Sequence, residues 1–66
     1  MKLTLNGETK ELLDGRTVRD LVVDLGLGDT PVAVEVNKQL VPRKQHETTV
    51  LADGDVVEMV TLVGGG

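Results

Sequence analysis

The stretch MKLTLNGETKELLDGRTVRDLVVDLGL, residues 1–27, decides the architecture. Leu3 and Leu5 alternate with Lys2 and Thr4, the period-two pattern of a half-buried strand. Asn6-Gly7 follows, and because both residues tolerate positive φ it is the strongest short hairpin signal. Residues 8–13 read as the returning strand, closed by a turn at Asp14-Gly15. The period then changes. Thr17 is placed as a helix N-cap with Asp20 three residues on, a capping-box pattern. Val18, Leu21, Val22 and Leu25 fall at i, i+3, i+4 and i+7 and make one apolar stripe. Gly26 is suited to end the helix in the left-handed conformation, with Leu27 folding back as its apolar contact. A helix of about nine residues is marginal alone and depends on tertiary packing.

Beyond it, residues 28–31 read as a loop. Val32, Val34 and Val36 share one face of a strand, with Ala33 and Glu35 on the other. Asn37-Lys38 is a turn, and residues 39–41 form a short strand that Pro42 ends, having no N–H for a ladder. Residues 43–47 are polar and loop-like, residues 48–51 a brief strand, residues 52–55 an Asp-Gly turn and residues 56–63 the last strand, before a Gly64-Gly65-Gly66 tail. The order is hairpin, helix, then several strands, ββαββ(β). The fold class is α+β in a single domain over residues 1–66, with a mixed sheet packed on one short helix, the economical way to bury one apolar stripe.

Composition narrows the function. The 66 residues include 12 Val and 10 Leu, with no Cys, Phe, Tyr or Trp. The core is therefore aliphatic, without disulfide or thiolate metal site. The lack of aromatics removes the stacking platforms of single-strand nucleic-acid binders. A net charge of −4, from 11 acidic and 7 basic residues, suits neither nucleic acid nor an anionic membrane surface. No apolar run approaches a bilayer span and no signal peptide is evident, so a cytoplasmic location is expected.

Catalytic constellations are scarce. The chain has neither Ser nor Cys, which removes the usual nucleophile triads. His46, in a polar loop beside Glu47, reads as solvated, and Asp53 and Asp55 around Gly54 read as turn formers rather than a cation loop. Gly26-Leu27-Gly28 lacks the third glycine and preceding strand of a dinucleotide site. Arg43 and Lys44 read as solvated. Arg43, in a fixed geometry after Pro42, is also a candidate to pair with an acidic group of a partner. In the last strand Val57, Met59 and Val63, with Thr61 among them, share one face. Val56, Val60 and Leu62, interrupted by Glu58, share the other. One helix covers only one face, so the second set is either scattered surface apolar residues or a docking surface of Glu58, Val60 and Leu62 beside the tail. Terminal glycines are often only a frayed end. Lacking Cβ atoms, though, a Gly-Gly can thread a channel closed to other residues and bring a carboxylate to the α-phosphate of ATP.

Taken together, Asn6-Gly7, Gly15-Arg16-Thr17-Val18, Val34-Glu35-Val36-Asn37, Leu40-Val41-Pro42-Arg43, Asp53-Gly54-Asp55 and the terminal Gly65-Gly66 resemble the thiamin-biosynthesis sulfur carriers, the ThiS family, over essentially the whole length. The resemblance implies a ubiquitin-like β-grasp fold and a protein co-substrate rather than an enzyme. It implies that an E1-like enzyme adenylates the Gly66 carboxylate with ATP, the carrier itself binding no cofactor. A cysteine desulfurase or rhodanese-type donor then supplies sulfur to form a thiocarboxylate, and thiazole synthase takes that sulfur for the thiazole ring. Gly65 and Gly66 match the family's Gly-Gly. Gly64 stands where a small residue such as Ala would also be expected, and serves as a spacer in the threading tail. Three other readings remain open on sequence: a carrier for molybdopterin synthesis, a ubiquitin-like modifier joined through Gly66, and a β-grasp interaction module with an inert tail.

Overall fold

The alternating apolar positions of the first residues build a hairpin of β1 (Lys2–Leu5) and β2 (Glu8–Glu11). The register pairs Lys2 with Glu11 and Leu5 with Glu8. Asn6 at φ 50° and Gly7 at φ 83° make the tight turn. The computed structural model describes residues 1–62. After the hairpin come α1 (Val18–Asp24), β3 (Val32–Val36), β4 (Gln39–Val41), a 3-10 turn η1 (Arg43–Gln45) and β5 (Val56–Thr61). The five strands form one mixed sheet in the order β2-β1-β5-β3-β4, with β1 and β5 parallel and the other pairs antiparallel. This is the expected α+β arrangement.

Helix α1 supplies the other half of the core. Val18, Leu21 and Val22 are fully buried against Leu3, Val34, Val57 and Met59. At seven residues it is shorter than the sequence pattern suggests, because Leu25 is already the C-cap. Gly26 follows at φ 76°. Its N–H donates to the Val23 carbonyl and that of Leu27 to Val22, the paired bonds of a Schellman ending. Each free N–H of the first turn finds a partner. Val18 donates to Thr49 O and Arg19 to His46 O, while Asp20 donates to Thr17 Oγ1 at 3.1 Å. The Asp20 carboxylate in turn accepts from the Thr17 N–H at 2.9 Å.

That bond, with help from the Thr17 hydroxyl and Arg16, holds the Asp20 carboxyl below its ordinary value. A depressed native pKa contributes stability that is complete above 3.8 and lost as pH falls through the lower native value. Asp20→Asn should therefore flatten the acid limb of a plot of melting temperature against pH, and an unchanged limb would assign that slope to other carboxylates. Thr17→Ala should cost about 1 kcal/mol in urea denaturation, the usual loss of an N-cap.

Three segments differ from the sequence reading. Strand β2 stops at Glu11 instead of residue 13, because Leu12 turns to exchange hydrogen bonds with the α-amino and carbonyl groups of Met1, leaving Leu13 exposed. Residues 48–51 make only a single bridge, Thr17 to Val50, because their backbone is engaged by the N-terminal end of the helix. Arg43, Lys44 and Glu47 are exposed as expected, but His46 is not solvated. Pro42 and η1 fold the chain back so that His46 is buried, with Nε2 donating to the Val41 carbonyl at 3.0 Å. Expected strand residue 63 lies outside the described residues.

Candidate functional site

Position in the sheet makes the end of β5 the place to look. It is the central strand, paired along one side with β1 and along the other with all five residues of β3. Two turn asparagines lock it further. The Asn6 side chain accepts from Met59 N–H at 2.8 Å and donates to Met59 O at 3.1 Å, completing pairing where β1 has run out. Asn37 accepts from Val56 N–H at 2.9 Å and donates to Asp55 at 2.9 Å. At the far end Leu62 N–H donates to Pro31 O at 2.8 Å. Whatever follows residue 62 thus starts from a backbone held on the β3 side, by the bond to Pro31. The threading residues Gly64 and Gly65, and Gly66, the site of modification, lie outside the described residues.

The two faces of β5 differ. Val57 and Met59 are buried beneath α1. On the opposite face Val60 is 62% and Leu62 53% exposed, and Glu58 is open to solvent. Register gathers this face into a patch. Ala33 sits opposite Val60, Glu35 opposite Glu58, and Leu40 opposite Glu35. Val56 and Leu40 add exposed apolar area. The outer set is therefore contiguous and is not core. Val60→Asp should leave thermal stability within about 0.5 kcal/mol, as is usual for a surface position. A large drop would instead place Val60 in packing.

Arg43 is brought somewhere else. It lies on the helix side of the sheet, lining a depression with Arg19, Lys44, His46 and Glu47 that continues to Gly28, Thr30 and Val32. So Glu58, Val60 and Leu62 form one surface and Arg43 belongs to another, although both flank the end of β5, where Val32 is paired with Thr61.

Among the described residues no group of three or more His, Asp or Glu side chains is placed to hold a metal. Asp53 and Asp55 act as turn formers, Asp53 accepting from Lys2 N–H at 2.7 Å and Asp55 from Ala52 N–H at 2.8 Å. No helix among them is long and apolar enough to cross a membrane. Sequence reasoning missed the asparagine clamps and buried His46. The turn signals at Asn6 and Asn37 were visible, but nothing local indicates a bond from Asn6 to a strand 53 positions away.

The sequence matches the ThiS family over residues 3–66. It is 38% identical over 65 residues to the sulfur carrier protein ThiS of Bacillus subtilis, covering 97% of this chain and 98% of that protein. It is 39% identical over 66 residues to a thiazole synthase of Paramagnetospirillum magneticum, where all of this chain spans only 20% of that protein. The crystal structure of a thiamine biosynthesis protein (ThiS) from Geobacter metallireducens superposes with a TM-score of 0.84 at 32% identity, covering 100% of both chains.

Proposed function

This chain belongs to the ThiS family, and on that premise we propose that it is a sulfur carrier in thiamin biosynthesis, working through the carboxylate of Gly66 rather than as a catalyst. The observation that carries the reading is the central strand β5, paired with β1 and β3 and bearing an exposed apolar face that runs to Leu62. In the proposed cycle an E1-like enzyme binds ATP, and a Gly66 carboxylate oxygen attacks the α-phosphorus, releasing pyrophosphate. A persulfide on a desulfurase or rhodanese-type donor then attacks the acyl carbon and displaces AMP. A thiol cleaves the resulting S–S bond and leaves a thiocarboxylate. The carrier needs no catalytic side chain and no bound cofactor for these steps. Thiazole synthase is the proposed acceptor, and support comes from thiazole synthases that contain a stretch similar to the whole of this chain.

The test is intact mass after incubation with an E1-like adenylating enzyme, ATP, cysteine and a desulfurase. A gain equal to exchanging one oxygen for sulfur supports the reading. No gain with a demonstrably active enzyme set overturns it in favour of a modifier or an interaction module. The outer face of Glu58, Val60 and Leu62 is the proposed contact with the adenylating enzyme. Val60→Asp should weaken that binding by tenfold or more, since placing a charge in an apolar contact forfeits roughly 1.5–3 kcal/mol of side-chain burial.

A further inference from the structure

The chain is acidic overall, with 7 basic residues against 11 acidic ones, yet Arg19, Arg43 and Lys44 line one depression. Among the described residues, the ion pairs occupy Met1, Lys2 and Lys10, whereas these three cations, like Arg16 and Lys38, have no carboxylate oxygen within 4.0 Å. Glu47 also lines the depression and pairs with none of them. The framework under the charges is fixed. Arg19 donates through its guanidinium to Gly28 O at 2.9 Å and through its backbone N–H to His46 O. Buried His46 forms the floor, tied to Val41 O. Arg43 and Lys44 stand on η1, where Gln45 N–H closes the turn onto Pro42 O. The depression extends to Thr30 and Val32, next to Pro31, which holds Leu62 at the root of the tail.

Three cations against one carboxylate lining a single depression give it a positive potential that favours an anion. Their position fits a protein that must surround the tail root. The apolar face on one side of the sheet and this depression on the other both flank the end of β5, so an enzyme enclosing the tail meets both. We infer that the depression formed by Arg19, Arg43 and Lys44 docks a carboxylate-rich segment of the adenylating enzyme, orienting the tail for entry. The inference rests on the proposed carrier function. It adds a second contact surface, of opposite character to the outer face. An acidic carrier approaching an acidic segment would otherwise be repelled, and a local cationic patch turns that encounter into steering, which acts on association rate and is screened by salt.

The experiment is ATP–pyrophosphate exchange by the adenylating enzyme with the whole chain as substrate, for the native chain and for the double variant Arg43→Glu/Lys44→Glu. Both side chains are exposed, and a matched melting temperature confirms that the variant folds. The expected result is a rise in KM for the carrier of roughly tenfold at low ionic strength, with kcat unchanged and the native salt dependence flattened or reversed. Arg43→Lys should retain most of the native KM, since charge rather than fork geometry is required. Unchanged KM and salt dependence in a folded variant overturn the inference. So does a variant that adenylates normally but binds thiazole synthase weakly, because the occupant is then the other enzyme. Absence of exchange with the native chain instead overturns the carrier reading itself, which keeps the two failures apart.

Discussion

Deletion of Gly66 should abolish the oxygen-for-sulfur mass gain while the domain melts where the native chain does. The reason is geometric. Every buried core residue, from Leu3 to Met59, precedes the tail, and the described network closes at Leu62. Removing residue 66 touches none of the described core residues and none of the described hydrogen bonds, so a stability change above about 0.5 kcal/mol is not expected. The chemistry should be lost because the proposed adenylation needs a carboxylate at a fixed reach from the body of the carrier. Shortening the tail by one residue withdraws it by up to about 3.5 Å, and misplacement by even 1 Å can cost about a hundredfold in a positioned reaction. Gly65→Val is the companion variant. It restores length but adds a branched side chain where the proposed channel would admit only backbone, so it should fail at the same step while still binding through the proposed outer-face contact. If the deleted chain gains sulfur normally, the tail carboxylate is not the acceptor and the carrier reading falls.

The legibility of this molecule in its sequence follows the range of the forces involved. Local signals served well. The Thr17–Asp20 capping box, the Gly26 ending and the Asn6-Gly7 turn are set by neighbours within a few residues, and each forms as read. The two-faced character of β5 was also visible, since alternation assigns Val57 and Met59 to one side and Val60 and Leu62 to the other. Only the register with β3 and β4, however, reveals that Ala33 and Leu40 join the outer set. The burial of His46 is not legible locally, because it comes largely from residues distant in sequence. The first-turn N–H of Arg19 needs an acceptor, and His46 O supplies it, drawing the side chain inward to Val41. The same long-range step unites Arg19 with Arg43 and Lys44, 24 and 25 positions later, into a depression that no run of basic residues announced.

Leu21→Ala should leave the domain largely without a stable fold. Leu21 is completely buried, at the centre of the apolar stripe of a seven-residue helix. Truncating a fully buried leucine costs about 2–5 kcal/mol, from lost transfer energy and from a cavity that neighbours fill only in part. Relaxation offers little here, because Val18, Val22, Val34 and Val57 around it are stiff, β-branched and already fully buried. The margin is small. A domain of this size, with no disulfide, rarely gains more than ~3–5 kcal/mol from its core. A loss of about 3 kcal/mol with a urea m-value near 1 kcal/mol/M moves the midpoint down by roughly 3 M, to the edge of the native baseline. Leu40→Ala provides the contrast, since that leucine is 65% exposed on the outer face and its loss should stay within about 0.5 kcal/mol. The two variants together separate the faces of the sheet. If Leu21→Ala unfolds at nearly native urea while Leu40→Ala collapses, the helix packs elsewhere and the outer face is the core. The proposed contact surface around Val60 would then have to be abandoned. The opposite result leaves Leu40, Val60 and Leu62 free to serve a partner at no expense to the fold, the condition a carrier meets when it must bind and release more than one enzyme.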